Sequence, residues 1–231
     1  MARWWRQHLR CRRARGRAEL GVSAKNPRTP PQPLTADVAD VCTLATDRPL
    51  FRIHTVRGTH PTPWDGLREY GPLPQSRWEP QPPPSDFYPG NGVAYVAKDP
   101  ITAFAEVFQN RRRIVISADK AISAWFPKRP LRLLDLTQGW PTRNGASASL
   151  HAAPKSTTQA WAHQIHTQLS SSLQIDGLYV PSTMTLAPMV VLFTRSQDAF
   201  PKAPTFSQLL THRDSRVLAS KAAISLNWPL L

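Results

Sequence analysis

Apolar positions occur in short blocks along the chain, and the spacing within each block predicts the type of element. Runs rich in β-branched and aromatic residues predict strands. These predicted strands cover residues 50–54, 92–97, 114–117, 131–136, 175–180 and 189–194. Because they alternate with helical segments in no regular strand–helix–strand order, the pattern favours an α+β fold with small mixed sheets and flanking helices.

Helices are predicted where the apolar spacing becomes three and four. Asp99 is a good N-cap and Pro100 suits the first helical position. An apolar stripe then follows at i, i+3, i+4 and i+7, formed by Ile101, Phe104, Ala105 and Phe108. Further helices are predicted at residues 35–44, 157–173, 206–210 and 216–226.

Residues 59–91 contain nine prolines and are predicted to be loop. A loop of ~30 residues is several times longer than the usual connection, so we expect this segment to be either disordered or functional.

Charge is concentrated at the N-terminus. Residues 1–28 carry +8 of the formal net charge of +14. Such blocks are typically disordered and solvated, although contact with RNA, DNA or a membrane surface stays open. We therefore predict that residues 1–34 form a basic, proline-containing, disordered extension and that residues 35–231 form one folded domain.

Secreted, membrane-spanning and metal-binding proteins are disfavoured, because the sequence lacks the features typical of them. The basic start is not followed by the apolar stretch of a secretory signal, and no segment approaches the ~18 apolar residues of a membrane span. Two isolated cysteines, Cys11 and Cys42, fit a reducing compartment, so we expect a cytoplasmic protein without membrane contact. His163 and His166 are interpreted as solvent-facing helix residues, and no metal site is expected.

Five polar residues lie in apolar or loop contexts, where they become candidates for a site: Arg52, Arg77, Tyr95, Glu106 and Ser182. Each has an ordinary structural interpretation when taken alone. Glu106 lies opposite the apolar stripe of its helix, Tyr95 is an aromatic residue within a strand, and Ser182 follows a proline in a turn. The common nucleotide-binding and hydrolase motifs are absent.

Taken in order, the segments around these residues resemble the RES domain, a family named for its Arg, Glu and Ser. The resemblance is carried by LFRIH, SRW, GVAYVAKDPITAFAEVF and DGLYVPS, and it covers residues 50–194. The strand, cap and Ala-Glu helix of the third segment are its most specific part. Ser76 departs from the family pattern, which has a glycine before the Arg-aromatic pair, and the basic extension has no counterpart in that pattern.

The resemblance implies a fold similar to the core of ADP-ribosylating toxins and an enzyme that cleaves the nicotinamide–ribose bond of NAD⁺. It implies Glu106 and Arg52 as catalytic residues and Arg77, Tyr95 and Ser182 as substrate-binding residues. No cofactor is implied, because NAD⁺ is the substrate and inorganic phosphate the co-substrate of a phosphorylase. As implied partners, the family offers an antitoxin with a helix-turn-helix DNA-binding domain and a second copy of the chain.

The residue types suit this chemistry. A fixed carboxylate stabilises an oxocarbenium-like centre, arginines bind pyrophosphate, and an aromatic face attracts the cationic nicotinamide ring. The sequence leaves open phosphorolysis, hydrolysis and transfer of ADP-ribose to a protein or nucleic acid. A non-catalytic protein that binds nucleic acid through the basic arm, and an inactive RES domain, also stay open.

Overall fold

The computed structural model describes residues 25–31 and 33–231. The strands of this part are β1 (Val41–Leu44), β2 (Leu50–Thr55), β3 (Tyr70–Gly71), β4 (Asp86–Phe87), β5 (Val93–Ala97), β6 (Lys120–Trp125), β7 (Leu131–Asp135), β8 (Gly177–Pro181), β9 (Pro188–Phe193) and β10 (Phe206–Leu209). The α-helices are α1 (Pro100–Phe108), α2 (Trp140–Arg143), α3 (Lys155–Leu169) and α4 (Arg213–Leu226).

Eight of these strands form one mixed sheet in the order β1-β7-β8-β9-β5-β2-β6-β10. The pairing of β7 with β8 is parallel, and the other pairings in this sheet are antiparallel. Strands β3 and β4 form a separate two-stranded ribbon. The predicted α+β class with flanking helices is confirmed, although most strands join one large sheet rather than several small ones.

Two groups of helices cover different parts of the large sheet. Helix α3 packs Trp161, Ile165 and Leu169 against apolar residues of β7, β8 and β9. Helices α1 and α4 pack against β2 and β6, with Phe104 and Ala222 in that cluster. Helix α3 therefore covers the part of the sheet formed by β7, β8 and β9, and helices α1 and α4 cover the part formed by β2 and β6.

Strands β5 and β2 meet at only one register position, Phe51 opposite Ala97, and then diverge. Beyond this position, the loop residue Arg68 pairs with Val93 of β5 in an isolated antiparallel bridge. The backbone N–H of Arg68 donates to the carbonyl of Val93 at 2.9 Å, and the N–H of Val93 donates back at 3.0 Å. The divergence opens a gap in the sheet, and the proline-rich loop forms one wall of that gap.

Helix α1 begins as its sequence predicts. Asp99 accepts a hydrogen bond from the backbone N–H of Thr102 at 2.7 Å, and Pro100 occupies the first turn. Phe104 and Phe108 are buried and stack on each other, which fixes the rotation of the helix about its axis.

Three predicted elements are wrong. Residues 35–44 form a 3₁₀ turn (Val38–Asp40) followed by β1, and residues 206–210 form edge strand β10, because both segments pair with neighbouring strands instead of coiling. Residues 114–117 lie outside the named strands, and Ile114 makes an isolated bridge to Leu230. Strand β6, which lies between β2 and β10, has no counterpart among the predicted elements.

The long loop is tied to helix α3 by side-chain hydrogen bonds. Gln159 Nε2 donates to the carbonyls of Leu73 and Ser76, both at 2.8 Å. His163 Nδ1 lies 2.8 Å from the carbonyl oxygen of Pro80. His166 packs edge-on against the ring of Phe193. The two histidines therefore contact protein rather than facing solvent as predicted.

The folded part of the chain includes residues before position 35. Trp161 Nε1 donates to the carbonyl of Pro27 at 3.0 Å, and the backbone N–H of Ser147 donates to Asn26 Oδ1 at 2.9 Å. The predicted disordered extension covers residues 1–34, of which residues 1–24 and 32 lie outside the described residues. Within the described part, no helix is both long and apolar enough to cross a bilayer.

Candidate functional site

A cleft of about 250 Å³ occupies the gap between β2 and β5. Strands β2 and β5 and helix α1 contribute to its lining, as do four residues of the long loop: Thr62, Arg68, Leu73 and Ser76. Three of the five candidates named from the sequence, Arg52, Tyr95 and Glu106, line this cleft. A fourth, Ser182, contacts one of them.

Glu106 is the carboxylate of the cleft. Its side chain on helix α1 is half-buried. Ser182 lies in the turn between β8 and β9, and its hydroxyl donates a hydrogen bond to Glu106 Oε1 at 2.6 Å. Gln109 Nε2 donates more weakly to Oε2 at 3.2 Å. In the part of the chain described by the structure, no basic side chain lies within ion-pair distance of Glu106. Its negative charge is therefore held in place without being neutralised.

Ser182 is completely buried, and its hydroxyl makes three hydrogen bonds. Besides donating to Glu106, Oγ accepts from the backbone N–H groups of Met184 at 3.0 Å and Thr185 at 3.1 Å. A serine hydroxyl has one donor hydrogen and two acceptor lone pairs, so this set uses all three. The hydroxyl of Ser182 therefore uses its full hydrogen-bonding capacity within the protein.

Arg52 contributes a cation to the cleft. Its Nη1 donates to the carbonyls of Trp64 at 3.0 Å and Gly66 at 2.7 Å, which fixes the guanidinium against the start of the long loop. Burial lowers the pKa of Arg52 to about 10, and the nearby positive charge of Arg68 acts in the same direction, against Asp65. This pKa still leaves the side chain protonated at neutral pH. Among the described residues, no carboxylate forms an ion pair with it.

Arg77 does not belong to the lining of the cleft, and its role in substrate binding stays a prediction. Its Nη1 donates instead to the carbonyl of Ala153 at 2.6 Å, so the guanidinium is held against the segment that precedes α3. The second arginine in the lining of the cleft is Arg68, which is not among the residues predicted from the sequence. An arginine in an irregular, proline-rich loop has no periodic signal, and its position depends on the long-range pairing with Val93.

Tyr95 lines the cleft, and its hydroxyl forms hydrogen bonds with two residues of the long loop. Its Oη donates to Glu79 Oε1 at 2.7 Å and accepts from the backbone N–H of Trp78 at 3.0 Å. Burial, together with the charge and hydrogen bond of Glu79, raises the pKa of Tyr95 well above its usual value. The phenol therefore stays protonated, and the ring rather than the hydroxyl is the part left for a ligand.

The cleft combines a carboxylate that carries no ion pair, an arginine with unused donors and an aromatic ring. Such an arrangement can stabilise a developing positive charge beside Glu106 while it binds an anionic group through arginine. The described residues contain no cluster of three or more His, Cys, Asp or Glu side chains able to hold a metal ion. The fold and the cleft define an α+β protein with a combined carboxylate and arginine site.

The chain belongs to the RES domain family, because the family model for the RES domain matches residues 49–214. This match includes all five residues that were selected from the sequence. A comparison with curated proteins found no match. Among solved structures, the chain is similar to one described as the crystal structure of the M. tuberculosis MbcT-MbcA toxin–antitoxin complex. That similarity has 20% sequence identity and a TM-score of 0.49, and it covers 77% of this chain and 92% of the other.

Proposed function

We propose that this protein cleaves the nicotinamide–ribose bond of NAD⁺ in the cleft between β2 and β5, and that it acts as a toxin by depleting NAD⁺. The observation that carries the proposal is the contact between Ser182 and Glu106 at 2.6 Å beside a cleft that also contains Arg52 and Tyr95. This contact joins the Glu and the Ser for which the family is named, although 76 positions separate them in the chain.

The chemistry requires little besides a fixed negative charge. Cleavage of the bond releases neutral nicotinamide and leaves an oxocarbenium-like ribose, so the leaving group needs no general acid. Glu106 would stabilise that cation through space. A carboxylate that already formed an ion pair with an arginine or lysine would stabilise it far less, which makes the absence of a basic partner in the described residues consistent with this role.

The remaining cleft residues suit the rest of the dinucleotide. Arg52 would bind the pyrophosphate through the guanidinium nitrogens not engaged by the loop carbonyls. The Tyr95 ring would face the cationic nicotinamide. A cleft of about 250 Å³ is smaller than the ~300–1,000 Å³ typical of drug-sized ligand sites, so the adenosine half would extend beyond it.

The acceptor of the ADP-ribosyl group and the partner protein are further parts of the proposal. Water or inorganic phosphate would attack the same ribose carbon, giving ADP-ribose or its 1-phosphate. The family resemblance leads us to propose an antitoxin with a DNA-binding helix-turn-helix domain as partner, which would cover the cleft and inhibit release of nicotinamide.

The test is to incubate the purified full-length chain with NAD⁺, with and without inorganic phosphate, and to separate the products by chromatography. Release of nicotinamide is the expected result. Phosphate-dependent formation of ADP-ribose 1-phosphate would identify a phosphorylase, and phosphate-independent formation of ADP-ribose would identify a hydrolase. The proposal would be wrong if NAD⁺ stayed intact under both conditions and in the presence of protein acceptors.

A further inference from the structure

Glu79 is a buried carboxylate that the proposed reaction does not use. It is completely buried, within the irregular part of the long loop. Arg68 Nη2 donates to both of its oxygens at 2.7 Å, and Tyr95 Oη donates to Oε1 at 2.7 Å. The backbone N–H of Leu73 donates to Oε2 at 3.1 Å. Four hydrogen bonds thus converge on one carboxylate.

The groups that bind Glu79 are cleft residues. Arg68, Leu73 and Tyr95 all line the cleft, whereas Glu79 is absent from its described lining. Glu79 therefore lies behind the wall that these three residues form. Arg68 and Leu73 belong to the long loop, in which the short ribbon β3–β4 is the regular structure, so hydrogen bonds such as those to Glu79 help to define the shape of this part of the wall.

The donors and acceptors in this network match one another. Tyr95, whose pKa is raised, keeps its hydroxyl hydrogen and donates it to Glu79, so the phenol depends on this oxygen as its acceptor. Arg68 supplies the countercharge that a buried carboxylate requires. Its Nη1 also donates to the carbonyl of Tyr70, so both terminal nitrogens of the guanidinium are held by hydrogen bonds.

We propose that Glu79 is a positioning residue that holds the Arg68 guanidinium and the Tyr95 ring in the geometry needed to bind the nicotinamide half of NAD⁺. This inference rests on the proposed function, because it assigns a purpose to the wall of the same cleft. Glu79 acts only through its neighbours. Its removal would leave Arg68 without its countercharge and Tyr95 without its acceptor.

The test measures binding apart from turnover. The ligand is carba-NAD⁺, in which a methylene group replaces the ring oxygen of the nicotinamide ribose so that the bond is not cleaved, and calorimetry gives its Kd. For Glu79→Gln in the full-length chain we expect Kd to rise about tenfold or more, because the Arg68 guanidinium and the Tyr95 ring lose the preorganised positions that the ligand would contact. An unchanged or lower Kd would overturn the proposal.

A matched control separates positioning from general destabilisation. Asp176 is also a completely buried carboxylate, bound by Arg129 at 2.8 and 2.9 Å, and it does not belong to the described cleft lining. Glu79→Gln and Asp176→Asn should both lower Tm, and only Glu79→Gln should raise Kd. An equal rise of Kd in both variants would overturn the proposal.

A second variant keeps the test decisive if Glu79→Gln folds poorly. Replacing both charges, as in Arg68→Leu with Glu79→Leu, removes the unpaired buried charge and should restore Tm towards the wild-type value. Kd for carba-NAD⁺ should stay raised, because the wall then lacks its guanidinium. Recovery of both Tm and Kd would show a purely structural role and overturn the proposal.

Failure of the proposed function gives a different pattern. A wild-type chain that binds carba-NAD⁺ but never releases nicotinamide from NAD⁺ would contradict the cleavage reaction, while the Kd values would still decide the role of Glu79. A wild-type chain that does not bind carba-NAD⁺ at all would overturn both proposals.

Discussion

Removal of the Ser182 hydroxyl is the most informative perturbation of the cleft, because this group connects Glu106 to the rest of the fold. Ser182→Ala deletes the hydrogen bond at 2.6 Å to Glu106 and the acceptor for the N–H groups of Met184 and Thr185. A hydrogen bond to a charged group contributes about 1.5–3 kcal/mol. This bond holds the Glu106 carboxylate in one position, and misplacement of a catalytic group by about 1 Å can cost on the order of a hundredfold in rate, so kcat for nicotinamide release should fall about ten- to a hundredfold.

The assay follows nicotinamide release at saturating NAD⁺, together with thermal unfolding of the same samples. Ser196→Ala is the control. Ser196 is also completely buried, and its hydroxyl donates a hydrogen bond at 2.7 Å to the carbonyl of Phe193. It lies in a 3₁₀ segment that does not belong to the lining of the cleft. Both variants should lose about 1 kcal/mol or more of stability. A Ser182→Ala enzyme with wild-type kcat would refute the idea that this hydroxyl orients Glu106.

Three further predictions concern the fold. Asp176→Asn should lower the free energy of unfolding by about 2–4 kcal/mol, measured with urea, because it leaves the partly exposed Arg129 without its buried partner; a loss below about 1 kcal/mol would contradict this. Gly177→Ala should prevent cooperative folding, as followed by circular dichroism, since its Cβ would lie 1.9 Å from the carbonyl oxygen of Val191; a wild-type melting curve would argue against the described strand pairing. Burial lowers the pKa of both His54 and His166 from 6.5, so the unfolded chain binds more protons than the folded chain as the pH is lowered through about 6.5, and stability should fall over that range; a urea midpoint that does not change with pH would contradict the burial of these rings.

Elements with strong local signals were predictable from the sequence. The Asp99-Pro100 start and the apolar spacing of α1 need no distant contact, and the apolar strands β2, β5, β7, β8 and β9 were located to within a few residues. Edge strand β10 was predicted as a helix, because its four residues lack a clear period and only their pairing with β6 makes them a strand. Strand β6 was missed although it pairs with both β2 and β10.

In the candidate site, too, the residues on regular elements were predictable from the sequence, and those in the long loop were not. Arg52, Tyr95 and Glu106 lie on regular elements, and their recognisable local patterns led to residues that do line the cleft. Arg77 and Arg68 both lie in the long loop, where the course of the chain is set by hydrogen bonds to α3 and β5 and not by local spacing. The sequence therefore could not determine which of the two arginines reaches the cleft.

The central claim is that the carboxylate of Glu106 promotes cleavage of NAD⁺. The most direct measurement compares nicotinamide release by the wild-type chain, Glu106→Gln and Glu69→Gln. Glu69 serves as control because it is also half-buried and accepts a hydrogen bond from the backbone N–H of Gly90 at 2.8 Å, but does not belong to the described lining of the cleft. We expect Glu106→Gln to lower kcat about a hundredfold or more while the fold is retained, and Glu69→Gln to leave kcat unchanged. Equal rates for Glu106→Gln and the wild-type chain would contradict the central claim.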